Sequence, residues 1–171
     1  LTKLGYAPRH GIWQHPEGRQ VVFLGDFIDR GPRIRNVLQL VRGMCDAGHA
    51  MAVMGNHEFN AIAYANNLRE HNEKNTRQHR EFLGQLSAAD QTYYIDWFWT
   101  LPLWLDLGDV RVVHACWHEP SMKVLGGDRL TVDDQLEAAR RAGGVPVRDP
   151  ILGADPDAVG AGGGEGDRGG R

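Results

Sequence analysis

Apolar runs alternate with amphipathic stretches in the first half of the chain. Residues 20–24 and 50–54 are short apolar runs, each followed by a glycine, and this pattern predicts two buried strands. After each run, apolar residues recur at helical spacing, over residues 34–45 and 59–68. Because the order strand, loop, helix occurs twice, the pattern predicts an α/β fold with functional loops at the carboxyl ends of the strands.

The second half of the chain mixes polar segments with shorter periodic ones. Residues 66–80 are polar and unpatterned, which predicts an exposed helix end and a loop. Ser87 and Asp90 have the spacing of a capping box and predict the start of a further helix. The apolar residues at 103–107 and 110–113 predict two strands joined by a tight turn to form a hairpin.

The last part of the chain changes in character. Residues 131–142 have the pattern of a final helix, whereas residues 153–171 are rich in glycine and lack aromatic side chains. Such a segment cannot bury enough apolar surface to offset its ordering entropy, so we expect it to be disordered. We therefore predict one domain over residues 1–150 and a disordered tail over residues 151–171.

Composition limits the classes of function. The 171 residues are 42% hydrophobic and 24% charged, which is typical of a soluble globular domain. A net charge of -3 and a pI near 6.2 provide no basic field, so neither a nucleic-acid polymer nor a membrane is an expected partner. The only two cysteines, Cys45 and Cys116, form no metal or disulfide pattern, which favours a cytoplasmic location.

Polar clusters follow three of the predicted strands. They are Gly-Asp-Phe-Ile-Asp-Arg-Gly at residues 25–31, Gly-Asn-His-Glu at residues 55–58, and Val-His-Ala-Cys-Trp at residues 113–117. Taken singly, each has an ordinary explanation as a solvated turn, a helix cap or a buried histidine. Since all three stand at strand ends, we expect their side chains to converge on one cleft.

The residue types in these clusters suit phosphate chemistry. Hydrolysis of a phosphate ester needs an activated water and neutralisation of the phosphate charge, which a pair of metal ions can supply. The carboxylate of Asp26, the amide of Asn56 and the imidazole of His114 form a donor set better suited to Mn, Fe or Zn than to Ca. The planar guanidinium of Arg30 can contact two phosphate oxygens at once.

In order and spacing, the three clusters resemble the motifs of the bacterial phosphoprotein-phosphatase-like branch of the calcineurin-like metallophosphoesterases. The resemblance covers roughly residues 1–145, and the ending Ala-Cys-Trp of the third cluster is similar to the bacterial members. It implies two β-sheets packed between helices and two divalent metal ions. It also implies that Asp26 bridges the two ions, while Asn56 and His114 bind the second.

The same resemblance implies roles in catalysis and substrate binding. His57 corresponds to the general acid, and Asp29 to the carboxylate that hydrogen-bonds and orients it, so these two form the catalytic pair. Arg30 corresponds to the residue that grips the phosphate. Glu58 is expected only to cap a helix, and His118 to lie on the surface.

Two motifs of this family have no counterpart in the chain. The Asp-x-His-Gly motif that binds the first metal is missing, because Pro8 stands where His10-Gly11 would require an aspartate. No histidine follows His118 to supply the last ligand of the second metal. We therefore expect a fragment, incomplete at both ends, that binds at most one metal ion, weakly, and has impaired activity.

These observations predict a metal-dependent hydrolase of phosphate monoesters or phosphoanhydrides. The substrate class is either a phosphorylated protein or a small phosphate ester such as a dinucleoside polyphosphate, and the motifs do not separate these. The alternative is a non-catalytic remnant or binding module that retains the phosphoesterase scaffold.

Overall fold

The computed structural model describes residues 1–130 of the chain. The predicted helix over residues 131–142 and the predicted tail over residues 151–171 lie outside the described residues. None of the helices within residues 1–130 is long and apolar enough to cross a bilayer.

A hairpin that the apolar pattern did not predict opens the fold. After a short 3-10 helix at Thr2–Leu4, strand β1 (Ala7–Arg9) pairs antiparallel with β2 (Ile12–Gln14). The two turn residues, His10 and Gly11, both have positive φ angles, 51° and 83°. Positive φ at both central residues is the geometry of a two-residue hairpin turn that matches the strand twist.

A parallel strand pair with a crossover helix supports the site. Strand β3 (Val21–Phe23) and strand β4 (Ala50–Ala52) are parallel neighbours, with Phe23 opposite Ala52. Helix α1 (Ile34–Asp46) connects them, as parallel pairing requires. The residues that α1 buries recur at helical spacing, and they are Ile34, Leu38, Val41 and Met44. Both strands and the helix were predicted, the strands with longer bounds and the helix one residue shorter.

Four helices follow strand β4 and enclose the main core. They are α2 (Asn56–Ala65), α3 (Glu73–Gln78), α4 (Arg80–Gln85) and α5 (Ala88–Trp99). Helix α2 begins at Asn56 rather than at the expected Phe59, so the second polar cluster forms its first turn. The hydroxyl of Ser87 accepts a hydrogen bond from the Asp90 N–H at 3.2 Å, so the predicted cap of α5 is present.

The expectation that residues 66–80 form an exposed helix end and loop is wrong in part. The segment contains α3, and two of its polar side chains, Asn75 and His79, are buried. The polar sequence hid this because Asn75 donates to the carbonyl oxygen of Glu70 and His79 hydrogen-bonds the distant Asp29, and periodicity does not report such partners.

The described residues end with a hairpin and a short helix. Strand β5 (Trp104–Asp106) pairs antiparallel with β6 (Arg111–Val113), as predicted, and α6 spans Glu119–Leu125. Within residues 1–130 the strands form three two-stranded sheets, where we expected two sheets. The mixed α/β class is confirmed, and the strands β3, β4 and β6 deliver the three polar clusters.

Candidate active site

Two glycines allow the loops after β3 and β4 to come into backbone contact. Gly25 has φ +81°, and a Cβ atom added to it would lie 2.3 Å from the backbone nitrogen of Gly55. A Cβ added to Gly55 would lie 2.4 Å from Oδ1 of Asp26. Any other residue at either position would therefore force the loops apart. This approach brings Asp26 to the first turn of α2.

Glu58 joins the same two loops from beneath the site. Its side chain is fully buried, and its Oε2 accepts hydrogen bonds from the N–H groups of Asp26 (2.8 Å) and Gly55 (3.0 Å). Its Oε1 accepts from the N–H of Phe27 at 2.7 Å. Burial, with a smaller contribution from the Asp26 charge, raises the pKa of the Glu58 carboxyl, although the three N–H donors oppose this. The expectation that Glu58 only caps a helix is therefore wrong, since it also fixes the preceding loop.

Three electron-pair donors converge above this support. Nε2 of His114 lies 3.1 Å from Oδ1 of Asn56 and 3.5 Å from Oδ1 of Asp26. The other ring nitrogen, Nδ1, hydrogen-bonds the carbonyl oxygen of Leu24, and because that oxygen can only accept, Nδ1 carries the proton. In the neutral ring, Nε2 then has its lone pair on the side of the two oxygens, where a cation bound between them could take it as a ligand. This hydrogen bond is of the kind that orients metal-ligating histidines.

The spacing of these donors fits a single cation. When ligand atoms lie about 2.0–2.2 Å from a metal ion, neighbouring ligand atoms are roughly 3 Å from each other. The distances from Nε2 of His114 to the oxygens of Asn56 and Asp26 are close to this value. Among residues 1–130, no group of three or more His, Cys, Asp and Glu side chains is close enough to hold a metal. The candidate set is thus one carboxylate, one amide and one imidazole. The exposed His10 lies in the turn between β1 and β2 and is not part of this set.

His57 lies beside the donors, with its two nitrogens facing different ways. Its Nδ1 is 2.8 Å from Oδ2 of the buried Asp29, and its Nε2 is 4.0 Å from Oδ2 of Asp26. The backbone N–H of His57 donates to Oδ1 of Asp26 at 3.3 Å. Since a carboxylate can only accept, Nδ1 of His57 donates to Asp29, and Nε2 is free to act in the cleft. The structure thus brings Asp26, Asp29, Asn56, His57 and His114 together.

A comparison with protein families agrees with this arrangement. A profile described as calcineurin-like phosphoesterase matches residues 9–142. The chain belongs to the calcineurin-like phosphoesterase family. The suspected resemblance is therefore confirmed at the level of the family.

The curated relatives carry the names of dinucleoside tetraphosphatases. An Oceanobacillus iheyensis protein named bis(5'-nucleosyl)-tetraphosphatase PrpE [asymmetrical] is 31% identical over 119 residues, which are 67% of this chain and 48% of that protein. A Methylococcus capsulatus protein named bis(5'-nucleosyl)-tetraphosphatase, symmetrical, is 31% identical over 121 residues, which are 68% of this chain and 41% of that protein. A Bacillus subtilis PrpE protein is 44% identical over 57 residues, 33% of this chain and 23% of the relative. The chain spans about half the length of the first of these relatives, and less of the others.

A second histidine contacts the Asp29 carboxylate in this calcineurin-like site. Nδ1 of His79, at the junction of α3 and α4, lies 2.9 Å from the Asp29 Oδ2 atom that also contacts His57. The sequence interpretation missed His79. One signal was present, because Phe82 and Leu83 follow it at positions i+3 and i+4, the spacing of a buried helix face.

The remaining predicted residues, Arg30 and His118, are exposed. Arg30 is exposed, directly after the buried Asp29. His118 is also exposed, as expected, and its Nδ1 lies 2.7 Å from the hydroxyl of Ser121. The guanidinium of Arg111, the first residue of β6, lies 4.8 Å from the centre of the Trp117 ring.

Proposed function

We propose that this site hydrolyses phosphoanhydride bonds of dinucleoside polyphosphates with the help of a bound metal ion. The observation that carries the proposal is the convergence of Asp26, Asn56 and His114 next to the free Nε2 of His57. The names of the curated relatives support the nucleotide class of substrate over a phosphorylated protein.

We assign the metal to the three donors of Asp26, Asn56 and His114. Carboxylate, amide and imidazole donors together suit Mn, Fe or Zn, and we propose Mn as the ion to test first. When bound, such an ion activates water for attack and neutralises charge on the phosphate oxygens. The described residues offer donors for one ion, and we expect turnover by the 171-residue chain to be slow for that reason.

The catalytic pair would act on the leaving group. As water adds to phosphorus and the bond to the leaving oxygen breaks, His57 would supply from Nε2 the proton that this oxygen takes up. Asp29 accepts the Nδ1–H of His57 and so keeps Nε2 directed toward Asp26. Arg30, exposed beside Asp29, would bind the terminal phosphate through its planar fork of donors.

A cytoplasmic location also remains a proposal. Its support is that both cysteines, Cys45 and Cys116, are free thiols, which suit a reducing compartment.

Metal titration and nucleotide hydrolysis test the proposal together. We would titrate the chain with Mn²⁺ by calorimetry, then follow cleavage of bis(5'-adenosyl) tetraphosphate by chromatography, with a phosphopeptide as the competing substrate class. We expect one Mn²⁺ per chain, slow cleavage of the nucleotide, and loss of both in His114→Ala. His118→Ala is the matched control, because this histidine is exposed and its ring hydrogen-bonds the hydroxyl of Ser121, outside the proposed donor set.

Several outcomes would contradict the assignment. Unchanged Mn²⁺ binding in His114→Ala would show that the donors are misassigned. Firm binding without hydrolysis of either substrate would favour the non-catalytic binding module. Two tightly bound ions per chain would show that residues beyond Asp26, Asn56 and His114 complete the site.

A further inference from the structure

We propose that His79 is a positioning residue that holds Asp29, and through it His57, in the orientation needed for proton transfer. The part of this inference that concerns catalysis rests on the proposed function. The contact itself does not, since it is a property of the folded chain. It joins helix α4 to the loop after β3, elements that are separated by 50 residues at this contact.

The two imidazoles share one oxygen atom. Nδ1 of His57 lies 2.8 Å from Asp29 Oδ2, and Nδ1 of His79 lies 2.9 Å from the same atom. The side chains of Asp29 and His79 are each only 1% exposed. Because a carboxylate oxygen accepts and cannot donate, both histidines must carry a proton on Nδ1. The contact therefore fixes the tautomer of each ring as well as its position.

His79 has a hydrogen-bond partner at only one of its two ring nitrogens among the described residues. Its other nitrogen, Nε2, is buried and has no hydrogen-bond partner among the described residues. An N–H at this nitrogen would be buried without an acceptor, which is costly. His79 therefore acts as a donor at one nitrogen only, and that nitrogen faces Asp29.

Asp29 needs such a partner to hold one orientation. It has a left-handed backbone conformation, with φ 70°, and its Oδ1 has no hydrogen-bond partner among the described residues. Without His79, the only described side chain holding the carboxylate would be His57, the residue that must itself be oriented. His79 provides a fixed point because its ring is buried and packs 5.2 Å from the ring of Tyr64, centre to centre.

Two amide variants separate donation at Nδ1 from simple filling of the site. The amide nitrogen of asparagine can occupy the position of the histidine Nδ1, whereas the amide of glutamine reaches the position of Nε2. His79→Asn should therefore keep the hydrogen bond to Asp29, and His79→Gln should lose it. The two variants are matched, because each places an amide side chain at the same buried position. His79 also borders a cavity of about 410 Å³ between α2, α4 and α5, so a shorter side chain only enlarges a space that already exists.

The first experiment detects the hydrogen bond from His79 to Asp29 and does not require the chain to be enzymatically active. Long-range ¹H–¹⁵N correlation spectra of the histidine-labelled chain report which ring nitrogen carries the proton. We expect the Nδ1–H form for both His57 and His79, with the His57 signal preserved in His79→Asn and changed in His79→Gln. An Nε2–H tautomer at His79, or a His57 signal that is equal in both variants, would overturn the proposal.

The second experiment reads the consequence for proton transfer. Loss of outer partners that orient a site typically costs about 10- to 100-fold in activity, and we expect His79→Gln to lower kcat for phenyl phosphate by that factor with little change in KM. p-Nitrophenyl phosphate should lose much less, because its weakly basic leaving group needs less help from an acid. His79→Asn should restore most of the rate. Equal losses for both substrates would mean a merely structural role and would overturn the proposal.

These readouts distinguish two kinds of failure. If the chain hydrolysed neither of these esters nor bis(5'-adenosyl) tetraphosphate, the proposed function would fail, and the tautomer spectra would still decide whether His79 orients His57. If the chain were active and the two amide variants behaved alike, the role of His79 would fail while the proposed function stood.

Discussion

The two sides of the cleft are built on different principles. On one side, Asp29 and His79 are each 1% exposed at the side chain and His57 is 13% exposed, and hydrogen bonds join all three. On the other side, the side chain of Asp26 is 38% exposed and that of His114 is 25% exposed. The first side, with Asp29, His57 and His79, is buried like the protein interior, and we call it the closed side. The second side, with Asp26, Asn56 and His114, is partly exposed to solvent, and we call it the open side.

This difference separates two tasks. Buried polar groups are stable only with partners, so the closed side has its geometry set by folding. The open side gathers electron-pair donors whose side chains are partly exposed to solvent. We therefore expect changes on the closed side to affect stability or the proton-transfer step, and changes on the open side to affect metal binding.

The largest effect is expected for the catalytic pair. His57→Asn should lower the turnover of phenyl phosphate by about 10²- to 10⁴-fold, the usual contribution of a general acid, with Mn²⁺ still bound. The reason is that the variant removes Nε2 from the cleft and leaves Asp26, Asn56 and His114 unchanged. The measurements are single-turnover kinetics and calorimetry, with His118→Asn as the control. Full activity of His57→Asn toward this poor leaving group would refute the assignment.

A large effect on stability is expected for the carboxylate beneath the site. In Glu58→Gln an amide N–H₂ replaces an oxygen that accepts from the backbone, so donors face donors around Asp26, Phe27 or Gly55. Loss of buried, charge-assisted hydrogen bonds of this kind costs about 2–4 kcal/mol. Urea unfolding of the variant measures the cost.

The control for this variant is another first-turn glutamate. Glu73 stands at the start of α3 and is exposed, so Glu73→Gln should change the free energy of unfolding by about 0.5 kcal/mol or less. Equal effects of the two variants would contradict the view that Glu58 joins the loops.

The sequence predicted the open side better than the closed side. Asp26, Asn56 and His114 could be expected to meet because each follows a strand, and β3, β4 and β6 carry them to one place. That inference needs only the alternation of apolar and polar segments. The convergence of these three residues was thus accessible from local pattern.

The closed side depends on contacts that local pattern does not encode. His79 reaches Asp29 across 50 residues, from a segment whose polarity indicates an exposed loop. Glu58 appears as an ordinary helix-cap residue until its two partners on the loop after β3, the N–H groups of Asp26 and Phe27, are visible. The hairpin of β1 and β2 was missed for a similar reason, because its turn is the dipeptide His10-Gly11 rather than the usual Asn-Gly or Asp-Gly.

Replacing the Asp26 carboxylate by an amide should weaken metal binding with little effect on the free energy of unfolding. Asp26→Asn should alter the free energy of unfolding by about 0.5 kcal/mol or less, because the side chain is partly exposed and an amide oxygen can still accept the His57 N–H. It should weaken Mn²⁺ binding, since the only carboxylate among the three donors is lost. Urea unfolding and calorimetry measure both. A loss of stability as large as that of Glu58→Gln would erase the distinction between the two sides.

The smallest effect concerns thiol reactivity and leaves the chemistry of the site intact. Cys116 stands two residues after His114 and is exposed, whereas Cys45 lies half-buried on α1. Burial, reinforced by the charge of Asp46, raises the pKa of the Cys45 thiol to about 11. The thiolate is the reactive form, so Cys45 should stay protonated and unreactive until the pH approaches that value.

Labelling with a disulfide reagent at pH 8 tests this difference. At that pH a thiol with a pKa three units higher is ionised in only about one molecule in a thousand, so the folded chain should show one fast site and one very slow site. Cys116→Ser should remove the fast phase, and unfolding in urea should make Cys45 react. If Cys45 reacted as fast as Cys116 in the folded chain, the helix beneath the site would be open to solvent. The difference in solvent accessibility between the buried and the exposed parts of the molecule would then not hold for α1.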